Sequence, residues 1–358
     1  MFFDEFRKRR GYDLKKYLRE FDTNDSTDLV ARIKSDYRET MADLMLENFS
    51  QKFTAWAHSK NALSTNQAHG SPGNLLDLYA AVDIAETETF GSSFFPIPGL
   101  RRDSADVQNV DPDPIMMKFP SSAANAIGHK LVSCETFTWL TEHFKTSWAQ
   151  CKPEVEKIFL SGINHVFYHG TTYSPAEAQW PGWLFYASVN MVPNNSLWPH
   201  LKGLNNYITR CQSVLQQGKP DNELMIYWPV YDNWHNSKGK DKPFRIHNIE
   251  DWLHGTSFYK NAESLQQKGF SFDFVSDKMI SQTYVDNDGL HVTDTGAVYK
   301  TLIIPAANYI SLSTLDKINS LAQNGATVIF QALPKDIPGL NNLQERRNSF
   351  NEILKNIR

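Results

Sequence analysis

The sequence has 358 residues, 36 Lys and Arg against 40 Asp and Glu, a net charge of −4, and 41% hydrophobic with 21% charged residues. This balance is that of an ordinary globular chain and excludes a basic polyanion-binding surface, so nucleic acid is not an expected partner. Three cysteines are too few for a disulfide framework or a thiolate metal site, and no apolar run approaches the roughly 20 residues of a membrane span.

The length suggests two domains. The start, MFFDEFRKRRGYDL, reads as charged amphipathic helix rather than a signal peptide. The chain is therefore expected to begin inside a structure, as part of a longer protein. Helices are expected over residues 2–20 and 28–60, the second from the recurrence of Val30, Ile33, Tyr37, Met41, Leu44, Met45 and Phe49. A strand over 62–68 ends in His69-Gly70, and a helix follows with Ser71 as N-cap and Pro72 at its first position. A short strand over 84–88, IAETE, comes next. Residues 90–120, rich in Gly, Pro, Asp and Ser, read as a long surface loop, of the kind that serves as a functional lid or is a disordered insert. Helix resumes at SSAANAIGHK, then strands over 131–135 and 164–169 flank one more helix. Four strand-to-helix steps are half of an eight-stranded (β/α)8 TIM barrel.

A helix over 201–217 stops at Gly218-Lys219-Pro220, which places a domain boundary there: 1–219 as the partial barrel and 220–358 as a smaller unit. In the second unit NELMIYWPV, FSFDFVS, YKTLIIP and ATVIFQA alternate with helices over 257–267 and 313–323, the pattern of a small doubly wound, flavodoxin-like α/β domain. It carries no phosphate loop, so a structural or interface role is expected. The last segment, QERRNSFNEILKNIR, reads as charged helix or tail.

Residues just past the C-terminal ends of barrel strands face the ligand, which makes Glu135 the chemical centre, with His69, His169 and Tyr173 on the same rim. Glu86 and Glu88 lie two apart and share a face. Clustered carboxylates suit a hard cation or a proton shared for acid-base work. The competing readings are an exposed AETE loop, a Glu135 paired to Lys130 or a backbone amide, and histidines that are merely hydrogen-bonded. Aromatic residues make up 13% of the chain, with nine Trp. Trp139, Trp180, Trp183 and Trp198 flank the rim, where indoles stack on sugars, although core filling is the commoner use of such side chains. No HExxH or GxSxG motif is present.

HGSPGNLLDLYAAVDIAETETFG, KFPSSAANAIGHKLVSCETFTWL, GINHVFYHGTTYSPAEAQWPGWLFYASVN and YITRCQSVLQQGKPDNELMIYWPVYDNWH resemble, in that order, the catalytic region of glycoside hydrolase family 106, the α-L-rhamnosidases. The resemblance implies a (β/α)8 barrel that removes terminal α-L-rhamnose from a glycan or glycoside with inversion, using two glutamates and bound calcium. It implies Glu135 as general base, Glu86 and Glu88 in calcium or sugar contacts, and a periplasmic or secreted parent enzyme. His69, His169, Tyr173, Trp139 and Trp183 are then expected to touch substrate. The family's general acid belongs to an earlier strand, so this chain is expected to be an N-terminally truncated barrel, inactive or nearly so alone and prone to homo-oligomerise through open edges. A non-catalytic carbohydrate-binding remnant and a retaining glycosidase of another barrel family, with Glu135 as nucleophile, are the alternatives.

Overall fold

Two four-stranded parallel sheets organise the chain, and the computed structural model describes residues 2–100, 102 and 112–357. The first sheet contains β1 (Thr65–Asn66), β2 (Ile84–Phe90), β3 (Val132–Thr138) and β4 (His165–Tyr168), paired in chain order. One helix separates each successive pair: Leu75–Ala80, Pro114–Ile127 and Trp148–Leu160. Farther along come β5 (Leu224–Tyr227) and β6 (Phe272–Val275), then β7 (Tyr284–Val285), β8 (Leu290–His291) and β9 (Val298–Tyr299) in a small antiparallel sheet. β10 (Thr301–Ile304) and β11 (Thr327–Phe330) complete the second parallel sheet, whose spatial order is β11-β10-β5-β6. The chain thus starts that sheet in the middle and adds one neighbour on one side and two on the other.

The short apolar runs LMIY, FDFV and TLII form strands because a sheet covered on both faces accepts side chains on both. All four residues of β6 are buried, whereas β11 alternates exposed and half-buried residues at its open edge.

The helix Pro114–Ile127 joins the two sheets. Its Met117 and Ala124, seven apart, pack with Val132 and Cys134 of β3, while Ile115, Met116, Phe119, Ala123 and Ala126 belong to the cluster that contains β5, β6 and β10. Such a helix needs apolar residues all round. That is why its first half, PIMMKFP, lacks a polar face and reads as irregular in sequence. The expected loop over 90–120 is corrected here: helix begins at Pro114, with Asp113 Oδ1 accepting from the backbone N–H of Ile115 and Met116 at 2.9 Å each. Residues 101 and 103–111 of that loop lie outside the described residues.

Residue 219 separates the strands of the two sheets, β4 before it and β5 after it, but the buried apolar side chains do not divide there. One cluster runs from Ala42 and Leu75 through Phe119 to Trp228, Phe274 and Phe350. Ionic anchors cross the same line. Buried Arg38, on the helix Asp28–Met45, donates to the backbone carbonyls of Trp234, Asn236, Lys238, Gly239 and Lys240, and buried Arg32 reaches Ile337, Gly339 and Asp336. Their planar forks satisfy carbonyls that a loop would otherwise leave unpaired.

Other bounds differ for local reasons. The first helix stops at Arg10 because Gly11 takes φ +77°, and a 3₁₀ turn over Leu14–Tyr17 leads into a short α-helix, Leu18–Asp22. The strand expected over 62–68 is only Thr65–Asn66, an edge that pairs with β2 alone. Asn74, not Ser71, caps the next helix by accepting from Leu76 N–H at 3.1 Å.

Candidate active site

Parallel register decides which side chains of the first sheet share a face. Glu86 is opposite Ser133, Glu88 opposite Glu135, and Glu135 opposite Phe167. Side chains alternate along a strand, so Glu86, Glu88, Ser133 and Glu135 project together. The opposite face carries Val132, Cys134 and Val166, packed with Met117, Ala124, Ile158 and Ile163. A charged face can exist here because the other face of the sheet supplies the burial.

The sequence-chosen residues meet as follows. His169 Nδ1 lies 2.6 Å from Glu135 Oε1, and Gln67 Nε2 donates to Glu135 Oε2 at 2.6 Å and to Glu86 Oε1 at 3.0 Å. Ser133 Oγ donates to Glu86 Oε2 at 2.6 Å and Thr138 Oγ1 to Glu88 Oε1 at 2.7 Å. His69 Nε2 is 3.8 Å from Glu88 Oε2. An ionised Glu135 only accepts, so its partner nitrogen on His169 carries the proton. Among the described residues, His169 Nε2 and His69 Nδ1 are buried without a hydrogen-bond partner, which leaves polar atoms for a ligand or water to satisfy. Glu135 pairs with His169 and Gln67, not Lys130, and AETE is strand rather than exposed loop, with Glu88 only 9% exposed.

One oxygen each of Glu88 and Glu135 and a nitrogen of His169 all lie within 4.8 Å of one another. Two carboxylates suit a hard divalent cation, which takes oxygen ligands; the imidazole does not. His169 fits better as the group that orients Glu135. Glu86 has both oxygens occupied by Gln67 and Ser133, so it stands behind the cluster.

The ends of β2 and β3 bend around this cluster. Their register shifts between Glu88 and Phe90, and Phe137 and Trp139 take φ +78° and +49°. Such irregularities re-aim side chains at the end of a strand. Trp139 is half-buried between Phe90 and Tyr186, at ring-centroid distances of 5.9 and 6.0 Å, and Phe185 lies 5.1 Å from the His169 ring. Tyr173 and Trp183 stand 84% and 62% exposed and, among the described residues, take no part in the hydrogen-bonded cluster. Sequence reasoning passed over Gln67, Phe185 and Tyr186. Gln67 was within reach, since it lies two residues before His69 on the same face.

Residues 1–357 match the family model of glycoside hydrolase family 106, alpha-L-rhamnosidase. The chain belongs to this family. Its family 106 sequence is similar to a curated protein of Formosa agariphila named "Putative beta-glucuronidase", 27% identical over 344 residues, 94% of this chain but 25% of the relative. In structure it is similar to a rhamnosidase from Novosphingobium sp. PP1Y, with a TM-score of 0.65 at 18% identity, covering 99% of this chain and 31% of that one. A GH42 beta-galactosidase from G. stearothermophilus shares a TM-score of 0.57 at 11% identity over 92% of this chain and 48% of its own. At these identities the structural likenesses speak for the fold. The family 106 chain spans about a quarter of the length of its curated relative.

Proposed function

We propose that β1–β4 form half the wall of a (β/α)8 barrel, that the second sheet is a flavodoxin-like domain, and that the carboxylate face of β2 and β3 serves inverting, calcium-dependent hydrolysis of terminal α-L-rhamnosides. Family membership supports the glycosidase class, and four parallel strands in chain order support the barrel wall. The 2-1-3-4 order of β5, β6, β10 and β11 is that of doubly wound folds.

The observation that carries the reading is the Glu135 carboxylate held by His169 and Gln67 beside Glu88. Glu135 is the base that takes a proton from the attacking water. Each of its oxygens accepts one hydrogen bond and keeps a second lone-pair site for that proton. His169 and Gln67 fix its rotamer, so the reacting oxygen is positioned before the sugar arrives. Glu88 and Glu135 would hold calcium, which would supply a hard positive charge that suits vicinal sugar hydroxyls. A uronate carboxylate would meet Glu88 and Glu135, which have no Arg or Lys among their described hydrogen-bond partners. The neutral deoxy sugar is therefore favoured over a glucuronide.

Inversion needs two carboxyls about 6.5–9.5 Å apart. One oxygen each of Glu88 and Glu135 lie within 4.8 Å of each other, which favours a shared cation over an acid–base pair, so Glu88 is not assigned as the acid. With no acid assigned to Glu135, the second reading is sugar binding with little turnover by this chain alone. One experiment tests both: calorimetric titration with L-rhamnose, with and without calcium, beside assays on aryl α-L-rhamnoside and aryl β-D-glucuronide. Binding that needs both calcium and the Glu135 carboxylate supports the site. Turnover of the glucuronide, or binding unchanged in Glu135→Gln, refutes it.

A further inference from the structure

After β4 the chain enters an irregular segment, residues 170–198, whose backbone is tied down at several points. Ser188 Oγ, buried, accepts from Gly170 N–H at 3.0 Å and donates to Gly170 O at 2.9 Å. Ala187 O accepts from the N–H of Trp139, just past β3, at 2.8 Å. Thr172 Oγ1 donates to Trp183 O at 2.8 Å, and Trp183 N–H donates to Ser174 Oγ at 2.9 Å. Gly182 lets the segment fold tightly on itself: a Cβ there would meet Ser174 Oγ at 2.5 Å and Asn194 Nδ2 at 2.7 Å. These ties give the backbone a fixed course without helix or strand.

The large side chains of this tied segment are nevertheless exposed. Tyr173, Trp180, Trp183, Phe185 and Tyr186 all stand open, Tyr186 at 66% and Phe185 at 40%. A contiguous exposed apolar surface of this kind marks a place where another molecule sits. The row is continuous with the carboxylate site. The Phe185 ring lies 5.1 Å from that of His169, which holds Glu135, and 4.8 Å from that of Tyr186, which is 6.0 Å from Trp139. Two observations define the chemistry of the occupant. Residues 170–198 contain a single charged residue, Glu177, so neither a polyanion nor a basic segment finds counter-charge there. Among the described residues, the indole N–H of Trp183 and the hydroxyls of Tyr173 and Tyr186 have no hydrogen-bond partner. Uncharged rings with free polar tips match a ligand that has apolar faces and a rim of hydroxyls, which is a neutral sugar.

We propose that Trp183, Phe185 and Tyr186 form a shelf that binds the sugar units to which the terminal rhamnose is attached, so that the substrate is the end of a neutral glycan chain rather than a small glycoside. The proposal rests on the reading of Glu135 as the reacting centre. A row of rings whose successive centroids lie 4.8–6.0 Å apart extends beyond a single pyranose, and the exposed Trp183 carries it away from His169 along the tied segment.

The physical advantage lies in rigidity. Trp and Tyr offer large contact areas with few rotatable bonds, and a backbone that is already fixed loses little freedom on binding. Binding energy gathered from units that do not react can hold the scissile bond in place beside the carboxylates.

The test is calorimetric titration of the full chain, in calcium, with L-rhamnose, with neutral trisaccharides that end in α-L-rhamnose through each common linkage, and with trigalacturonic acid. The best trisaccharide should bind at least about tenfold more tightly than L-rhamnose. Trp183→Ala and Tyr186→Ala should each bring that ratio down toward one without lowering the melting temperature, because both side chains are exposed. Trp183→Phe, which keeps a ring, should retain most of it. Glu135→Gln should weaken L-rhamnose and trisaccharide alike and leave the ratio standing. Trisaccharide binding that depends on Trp183, with no binding of L-rhamnose, would uphold the shelf and remove Glu135 from its role. A ratio near one, a ratio that survives both alanine variants, equal binding of trigalacturonic acid, or no saturable heat with any trisaccharide up to about 10 mM would each overturn the shelf. So would dimerisation in sedimentation velocity that Trp183→Ala abolishes, which would give this surface to a second copy of the chain.

Discussion

Glu88 and Glu135 on the first sheet and Asp77 and Asp277 beside the second are all carboxylates drawn in from solvent, yet they are held in different ways. The first pair projects from the middle of strands, and each member meets a histidine as well as a neutral donor. The second pair sits at helix starts beyond the strand ends and, among the described residues, accepts its side-chain hydrogen bonds from hydroxyls. A strand-borne pair has its spacing set by sheet register, which suits chemistry that needs fixed distances. A pair at the strand ends is spaced by the packing of separate helices, which register does not fix. One parallel sheet therefore gathers its carboxylates on its face and the other beyond its edge.

The sharpest break of this comparison is Glu135→Gln. It keeps the shape and removes the carboxylate proposed as base, so hydrolysis of an aryl α-L-rhamnoside, measured as kcat in a protein that shows turnover, should fall by about 10²–10⁴. Retained kcat would mean that the face of the first sheet is not the chemical one. Next in size is Phe119→Ala on the helix between the sheets. Phe119 is fully buried and meets Trp228, Trp252, Phe258 and Phe274, so about 3–5 kcal/mol of stability should be lost in denaturant unfolding. Because one core serves both sheets, far-ultraviolet and near-ultraviolet circular dichroism should follow a single transition; two transitions would show that the sheets are independent.

His169→Ala should lower kcat by about 10–100-fold with little change in KM, the pattern of a residue that orients a ligand rather than binds substrate. A rise in KM alone would assign His169 to the sugar. The smallest effect is expected from Asp277→Asn, and its sign is opposite. The folded carboxyl sits at about 7, raised from 3.8 chiefly by burial. Its contribution to stability is present below the unfolded value and is lost as pH rises through about 7. Asp77 acts in the same direction through about 6. At pH 8 the Asn variant should melt about 2–5 °C higher than the parent, a difference that vanishes near pH 4. A lower melting temperature at pH 8 would mean that the ionised Asp277 is already compensated.

What could be read locally was read well where the side-chain period is local. LMIY, FDFV, TLII and TVIF declare themselves as strands, and the helix Ser257–Gln267 has the bounds its periodicity predicts. That Glu86 and Glu88 share a face needs nothing beyond the two-residue repeat of a strand. The small antiparallel sheet β7–β9 was missed because its strands are two residues each, too short for any periodic signal. The helix at Pro114 was missed because burial on every side erases the polar stripe that marks a surface helix.

The sequence by itself determined the parallel α/β class, most strand positions, the family and the pairing of two glutamates on one face, because these depend on spacings of a few residues. Only the tertiary structure decided that His169 reaches Glu135 across 34 positions, that Gln67 bridges Glu135 and Glu86, and that one buried helix serves both sheets. It also decided that Asp77 and Asp277, 200 residues apart, line one cavity. Those meetings follow from which buried surfaces fit together, and side-chain packing between distant segments leaves no period in the chain.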